Sequence, residues 1–150
     1  MVNKMKIRPP FIAIYYLLIA IGLNYLIPTK KLIFVPYNLF GILIIIGGIS
    51  LIVFCTLLFK KKGTPKSPFK KPTLMITSGP YKFTRNPMYV GVTSVSLGIA
   101  ILFGTLIMFL APLAFFLTIN FTFISKEEKL LENLFGQNYI DYKKKVRRWL

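Results

Sequence analysis

Charge is missing from three long stretches of this chain, and the polar residues crowd between and after them. Residues 11–27, 39–59 and 89–124 contain no Asp, Glu, Lys or Arg. A helix crosses a hydrocarbon core ~30 Å thick with ~20 apolar residues. The first two stretches each fit one crossing. The third would run to ~54 Å as a single helix at ~1.5 Å per residue. It suits two short crossings instead, with Phe103, Gly104 and Thr105 at the turn. The pattern predicts an all-α, multi-pass membrane protein with about four transmembrane helices, over residues 10–27, 38–59, 88–104 and 106–125. The third and fourth form a tight hairpin. One domain, 1–150, would then comprise these spans, a polar loop over 60–87 and C-terminal interfacial helices over 126–150.

Charge gives the bundle a direction. The chain carries a net +16, and of its 20 basic residues all but Lys30 and Lys31 fall on one side of a four-span topology. The positive-inside rule makes that side cytoplasmic, with both termini on it. Attraction to anionic lipid explains the same charge, and a nucleic-acid partner is not expected. The basic N-terminal segment, with no small-x-small site after its apolar run, reads as a retained anchor. Cys55 is the sole cysteine and histidine is absent. A His/Cys metal site and a Ser-His or Cys-His nucleophile are thereby excluded, and no metal is expected.

The loop carries Pro65, Pro68, Pro72, Pro80 and Pro87, which forbid a continuous helix. It also holds a small apolar insert, Thr73 to Ile76. It is either a solvated connector or a segment folded back over the helix ends. At its close, "RNPMYVG" reads as a helix start, with Asn86 as cap and Pro87 at the first helical position. The N–H groups of that turn lack intrahelical partners, the helix dipole is positive there, and Arg85 stands just before. Together they make an anion site for a carboxylate or phosphate. The plainer reading is an ordinary cap with a snorkelling arginine.

Three of the four acids, Glu127, Glu128 and Glu132, lie just after the fourth span. Adjacent helical residues point ~100° apart, so one of Glu127 and Glu128 faces inward and the other faces solvent. Local pairing with Lys126 and Lys129 is the alternative. In a tight hairpin the glutamates and the anion site share one pocket, which fits a zwitterionic amino acid head group. Farther on, Tyr139, Tyr142, Val146 and Trp149 recur at near-helical spacing beside a basic run, as in an interfacial helix. That helix either closes the pocket or anchors the tail. Ser94 and Gly98 allow close helix packing, within the chain or between subunits.

"GTPKSPFKKPTLMITSGPYKFTRNPMYVG" and "KEEKLLENLFGQNYIDYKKKVRR" closely resemble the integral-membrane methyltransferases, a group that includes isoprenylcysteine carboxyl methyltransferases and phospholipid N-methyltransferases. The likeness covers residues 63–148. It rests on Gly-Pro-Tyr, Arg-(His/Asn)-Pro-x-Tyr-x-Gly, a Glu-Glu pair and Phe-Gly-x-x-Tyr-x-x-Tyr, in that order. The resemblance implies S-adenosylmethionine as cofactor at the cytoplasmic face. It implies contacts from Thr73, Leu74, Met75, Ile76, Tyr81, Asn86, Pro87, Met88, Tyr89, Glu127 and Glu128. Arg85 suits the cofactor carboxylate, and Arg85 and Glu127 are the candidate catalytic residues. The acceptor would be lipid-like or prenylated, methylated on a carboxyl oxygen or an amine. Position 86 is Asn where many relatives have His, so no proton transfer is expected there. Position 123 is Phe where the isoprenylcysteine enzymes carry Arg. Two other classes share parts of this pattern. One is the NADPH-dependent sterol reductases, whose acidic-Cys signature this chain lacks. The other is a non-catalytic membrane scaffold.

Overall fold

The computed structural model describes residues 8–27, 29–64 and 73–150. Lys4, Lys6, Pro65, Lys66, Pro68, Lys70, Lys71 and Pro72, which carry part of the expected charge bias and loop character, lie outside the described residues. Six α-helices form among those described: α1 (Pro9–Leu26), α2 (Phe40–Lys61), α3 (Pro87–Phe103), α4 (Leu106–Thr118), α5 (Ser125–Phe135) and α6 (Gln137–Lys145). Proline opens α1 and α3, where its missing N–H costs nothing and its φ is already helical. A π-helical turn, Ile119–Ile124, joins α4 to α5 without a break. Three helices are long and apolar enough to cross a membrane: α1, the stretch Tyr37–Lys61 containing α2, and the continuous helix Leu106–Phe135. α3 is a shorter apolar helix of 17 residues. The all-α, multi-pass architecture expected from the charge-free stretches is the one observed.

The hairpin turns where the apolar run is punctuated. Gly104 caps α3 at φ +71°, donating its N–H to the Ala100 carbonyl at 2.9 Å. A side chain there would be strained, and a Cβ would also lie 2.3 Å from the Ile33 carbonyl oxygen. Leu32 and Ile33 donate their N–H groups to the Gly104 carbonyl, at 2.7 and 3.2 Å, so the connection after α1 seals this end of the bundle.

α2 packs along α3, and α1 along α4. α2 and α3 approach through two glycine pairs, Gly41 with Gly98 and Gly48 with Gly91. Gly98 thus serves packing within the chain, together with Gly91 earlier on α3. Phe115, Met108, Ile119 and Ile124 are fully buried between α1, α3 and α4. Phe11 and Leu18 on α1, and Leu43, Ile46 and Leu57 on α2, are more than half exposed. Apolar surface of that extent belongs against lipid. Among the described residues α1 and α2 make little direct contact with each other.

Candidate functional site

A cavity of about 750 Å³ opens at the end of the bundle where α1 and α3 begin and where α2 and α5 project. Leu74, Met75, Ile76, Tyr81, Arg85, Asn86, Met88, Tyr89, Glu127 and Glu128 all line it. Thr73 and Pro87 do not. The N–H groups of Thr73 and Leu74 both donate to Thr64 Oγ1, at 3.1 and 3.4 Å, which ties this stretch to the end of α2. Pro87 is packed in the interior.

The two glutamates depart from the expected split between cavity and solvent. Glu128 is buried, 6% exposed. Arg148 grips it with a two-pronged contact, Nε to Oε1 at 3.1 Å and Nη2 to Oε2 at 2.7 Å. Arg85 Nη2 reaches Oε1 at 3.2 Å. Paired guanidinium–carboxylate forks of this kind are among the stronger polar contacts, and they offset the cost of burying the acid. Glu127 is half-buried and accepts a 2.8 Å hydrogen bond from the Tyr89 hydroxyl. Burial pushes its carboxyl up to about 7, with the Tyr89 hydrogen bond acting in the opposite sense. Both acids therefore face inward. The more buried one is neutralised by arginines, and the other titrates near neutrality.

Arg85 also departs from the open cation expected at the α3 start, because one prong is spent on Glu128. Its side chain is 10% exposed; the Tyr139 phenol sits beside the guanidinium as a hydrogen-bonding neighbour, while Nε and Nη1 are buried and make no hydrogen bond of good geometry. Unmet buried donors of a charged group are costly, so these two N–H groups are ready for an oxyanion. Asn86 occupies the cap position, but its side chain does not cap α3. Its Nδ2 instead donates to the Arg148 carbonyl at 2.9 Å. An incoming main-chain carbonyl has displaced the local cap.

That carbonyl belongs to a feature the spacing did not foretell. α6 ends at Lys145 and Val146 is extended, so the predicted helix does not reach Trp149. The last residues form a strap across the site. Arg85 N–H donates to the Arg147 carbonyl at 2.9 Å, and Thr84 Oγ1 to the Arg148 carbonyl at 3.1 Å. Trp149 Nε1 donates to Asn120 Oδ1 at 3.0 Å, and its ring lies 4.5 Å from Phe116. α6 contributes too: Tyr142 donates to the Tyr81 carbonyl at 2.6 Å. The C-terminal segment thus lies against the cavity. Burial pushes the Tyr81 phenol far above its ordinary range, so it stays neutral.

Thr56 and Phe59 of α2 also line the cavity, and the Phe59 ring meets Tyr81 edge-on at 5.9 Å. Nothing in an apolar stretch marks Phe59, whereas Thr56 is a hydroxyl inside a charge-free run. Asn120 and Thr118, polar residues inside the charge-free run, are visible hints that the fourth span meets something polar.

A family model for phospholipid methyltransferases matches residues 37–138 of this chain. An uncharacterized protein of Haemophilus influenzae is 40% identical over 63 residues, which is 42% of this chain and 100% of that protein. The protein-S-isoprenylcysteine O-methyltransferase of Schizosaccharomyces pombe is 38% identical over 79 residues, 51% of this chain and 32% of that enzyme. No solved structure matches. The family match takes in α2, α3, α4, the π-helical turn, α5 and most of the polar lining, and on it the chain belongs to the phospholipid methyltransferase family of integral-membrane proteins.

Proposed function

We propose that this protein transfers a methyl group from S-adenosylmethionine to a lipid-like or prenylated acceptor at the cytoplasmic membrane face. The observation that carries the reading is the pairing, in one cavity, of the Arg85 Nε and Nη1 donors with the Glu127 carboxylate. These suit the carboxylate and the ammonium of an amino acid head group. The aromatic faces of Tyr81 and Phe59 suit an adjacent sulfonium by cation–π attraction. The residues present therefore fit the cofactor. When bound, it supplies an electrophilic methyl group open to in-line displacement.

The chain's own work is to align and enclose. Arg85 Nε and Nη1 and the first N–H groups of α3 hold the carboxylate end. Alignment of acceptor and methyl group supplies much of the rate in such a displacement. An amine acceptor must also lose a proton. Glu127 takes it at a carboxylate oxygen, and a carboxyl titrating near the working pH suits that role. A carboxylate acceptor needs no base. An apolar-tailed acceptor would reach the cavity sideways from the bilayer, past the α1 and α2 residues that line it.

Isothermal titration of the purified protein with S-adenosylmethionine and with NADPH tests the reading. Binding of the first alone is expected, and binding of neither would leave a non-catalytic scaffold. Radiolabel transfer into a lipid extract then classifies the acceptor, since a base-labile ester marks a carboxyl group and a base-stable head group marks an amine. A pH series tests Glu127 separately. Its carboxyl ionises as pH rises through about 7, so cofactor affinity is expected to increase from pH 6 to pH 7.5. Glu127→Gln should bind about tenfold more weakly at the upper end, the scale of one charged hydrogen bond, and should lose the pH slope. A mutant that keeps the slope removes Glu127 from the site.

A further inference from the structure

Arg148 stands behind the cavity wall, yet the charged end of the cavity is tied to it. All three of its guanidinium nitrogens are directed. Nε and Nη2 take the two oxygens of Glu128, at 3.1 and 2.7 Å, and Nη1 donates to Asn120 Oδ1 at 3.4 Å. The main chain here is fixed as well. The Arg148 carbonyl accepts from Thr84 Oγ1 and Asn86 Nδ2, and the Trp149 indole donates to Asn120. Arg85 and Glu128 line the cavity, and Arg148 does not. Whatever Arg148 does for a ligand, it does through them.

Charge decides what that is. One carboxylate, Glu128, sits between two guanidinium groups. Lys143 lies 4.0 Å from Glu128 and pairs at closer range with Glu132. Burial pushes the Tyr139 phenol beside Arg85 up to about 12, so it adds no charge. The triad of Arg85, Glu128 and Arg148 therefore carries one surplus positive charge. Arg148 holds both carboxylate oxygens, and Arg85 is left with a single contact of 3.2 Å. The surplus thus rests on Arg85, whose Nε and Nη1 make no hydrogen bond of good geometry. Without the Arg148 charge, Arg85 and Glu128 would become a one-to-one buried pair. The vacated oxygens would draw the remaining prongs of Arg85 into a bidentate fork. The cavity would then lose two donors and its net charge together, and in a low-dielectric wall that charge counts for more than it would in water.

We propose that Arg148 is a positioning residue for the cofactor: by neutralising Glu128 from behind, it keeps the Arg85 guanidinium open to a ligand carboxylate. This rests on the methyltransferase reading above. The test titrates the full chain in neutral detergent with S-adenosylmethionine and with its decarboxylated analogue, which keeps the ammonium and the sulfonium. Wild type is expected to bind the first more tightly. Arg148→Gln keeps a donor for Glu128 but not the charge. It should weaken S-adenosylmethionine about tenfold, the scale of one charged hydrogen bond, and leave the analogue nearly unchanged. Unchanged binding of the analogue also reports that the variant is folded. Arg148→Lys should recover part of the loss. Lys145→Ala removes an equal charge from an exposed position and should bind both ligands as wild type does.

An equal loss for the two ligands in Arg148→Gln would make Arg148 a structural residue and overturn the proposal. So would no loss for either, or a wild type that does not favour the carboxylate. A matching loss in Lys145→Ala would overturn it too, since general attraction to a chain of +16 would then suffice. Failure of wild type to bind S-adenosylmethionine is a different result and sinks the methyltransferase reading itself.

Discussion

Glu128→Leu is expected to cost the fold about 3–5 kcal/mol, the scale for removing one partner of a buried ion pair. The carboxylate is 7% exposed at its side chain, and Arg85, at 10%, has no other acid beside it. Without Glu128 the Arg85 guanidinium stays buried and uncompensated, and Arg148 loses both prongs of its contact. The melting temperature in detergent should fall sharply, and cofactor affinity should fall with it because the free donors of Arg85 lose their aim. Glu132→Ala is the control. Its pair with Lys143 is about one-third exposed on both sides, where such pairs contribute under ~1 kcal/mol. If the two variants melt alike, the buried network is not what holds the site.

Gly98→Leu is the second large expected effect, and it acts on the bundle rather than the cavity. A Cβ on Gly98 would lie 2.6 Å from the Gly41 carbonyl oxygen, and one on Gly41 would lie 2.4 Å from the Gly98 carbonyl oxygen. Backbone cannot rotate aside as a side chain does, so α2 and α3 must separate. Overpacking of this kind costs about 1–3 kcal/mol per site and occasionally more. Here it also displaces Ile52 and Met88, which line the cavity from these two helices. Gly47 offers an internal comparison one residue from Gly48. It meets nothing within 4 Å, so Gly47→Ala should be neutral or slightly stabilising through helix propensity. Thermal melting of Gly98→Leu, Gly48→Val and Gly47→Ala decides the matter. Equal stability of all three would mean the helices do not meet as described.

Those two variants also mark the line between what the sequence discloses and what it hides. The apolar stretches and the Gly104 turn are written locally, since each follows from a few neighbouring residues and the thickness of a bilayer. The meeting of the α3 start with Glu127 follows from the hairpin, because a tight turn brings its two far ends together. The Arg85–Glu128 contact joins residues 43 positions apart, and nothing in either neighbourhood says that the arginine will be half spent. The strap is hidden for a different reason. Tyr139, Tyr142, Val146 and Trp149 keep helical spacing with no glycine or proline to stop them. The helix ends because Thr84, Arg85 and Asn86 offer donors to carbonyls beyond it. The glycine pairs across α2 and α3 are likewise visible only once the two helices are set side by side.

The π-helical turn at Ile119–Ile124 has a consequence for inheritance and engineering alike. Its wider loop of hydrogen bonding takes up one residue more than an α-turn does, and one residue is worth ~100° of azimuth. Everything downstream, including Glu127 and Glu128, is rotated relative to the lipid-embedded half of the same rod. Forcing the same residues into a regular α-helix, with none deleted, would leave a helix of nearly the same length with its acids aimed at a different neighbour. The chain's chemistry is in that sense phased by a six-residue dial.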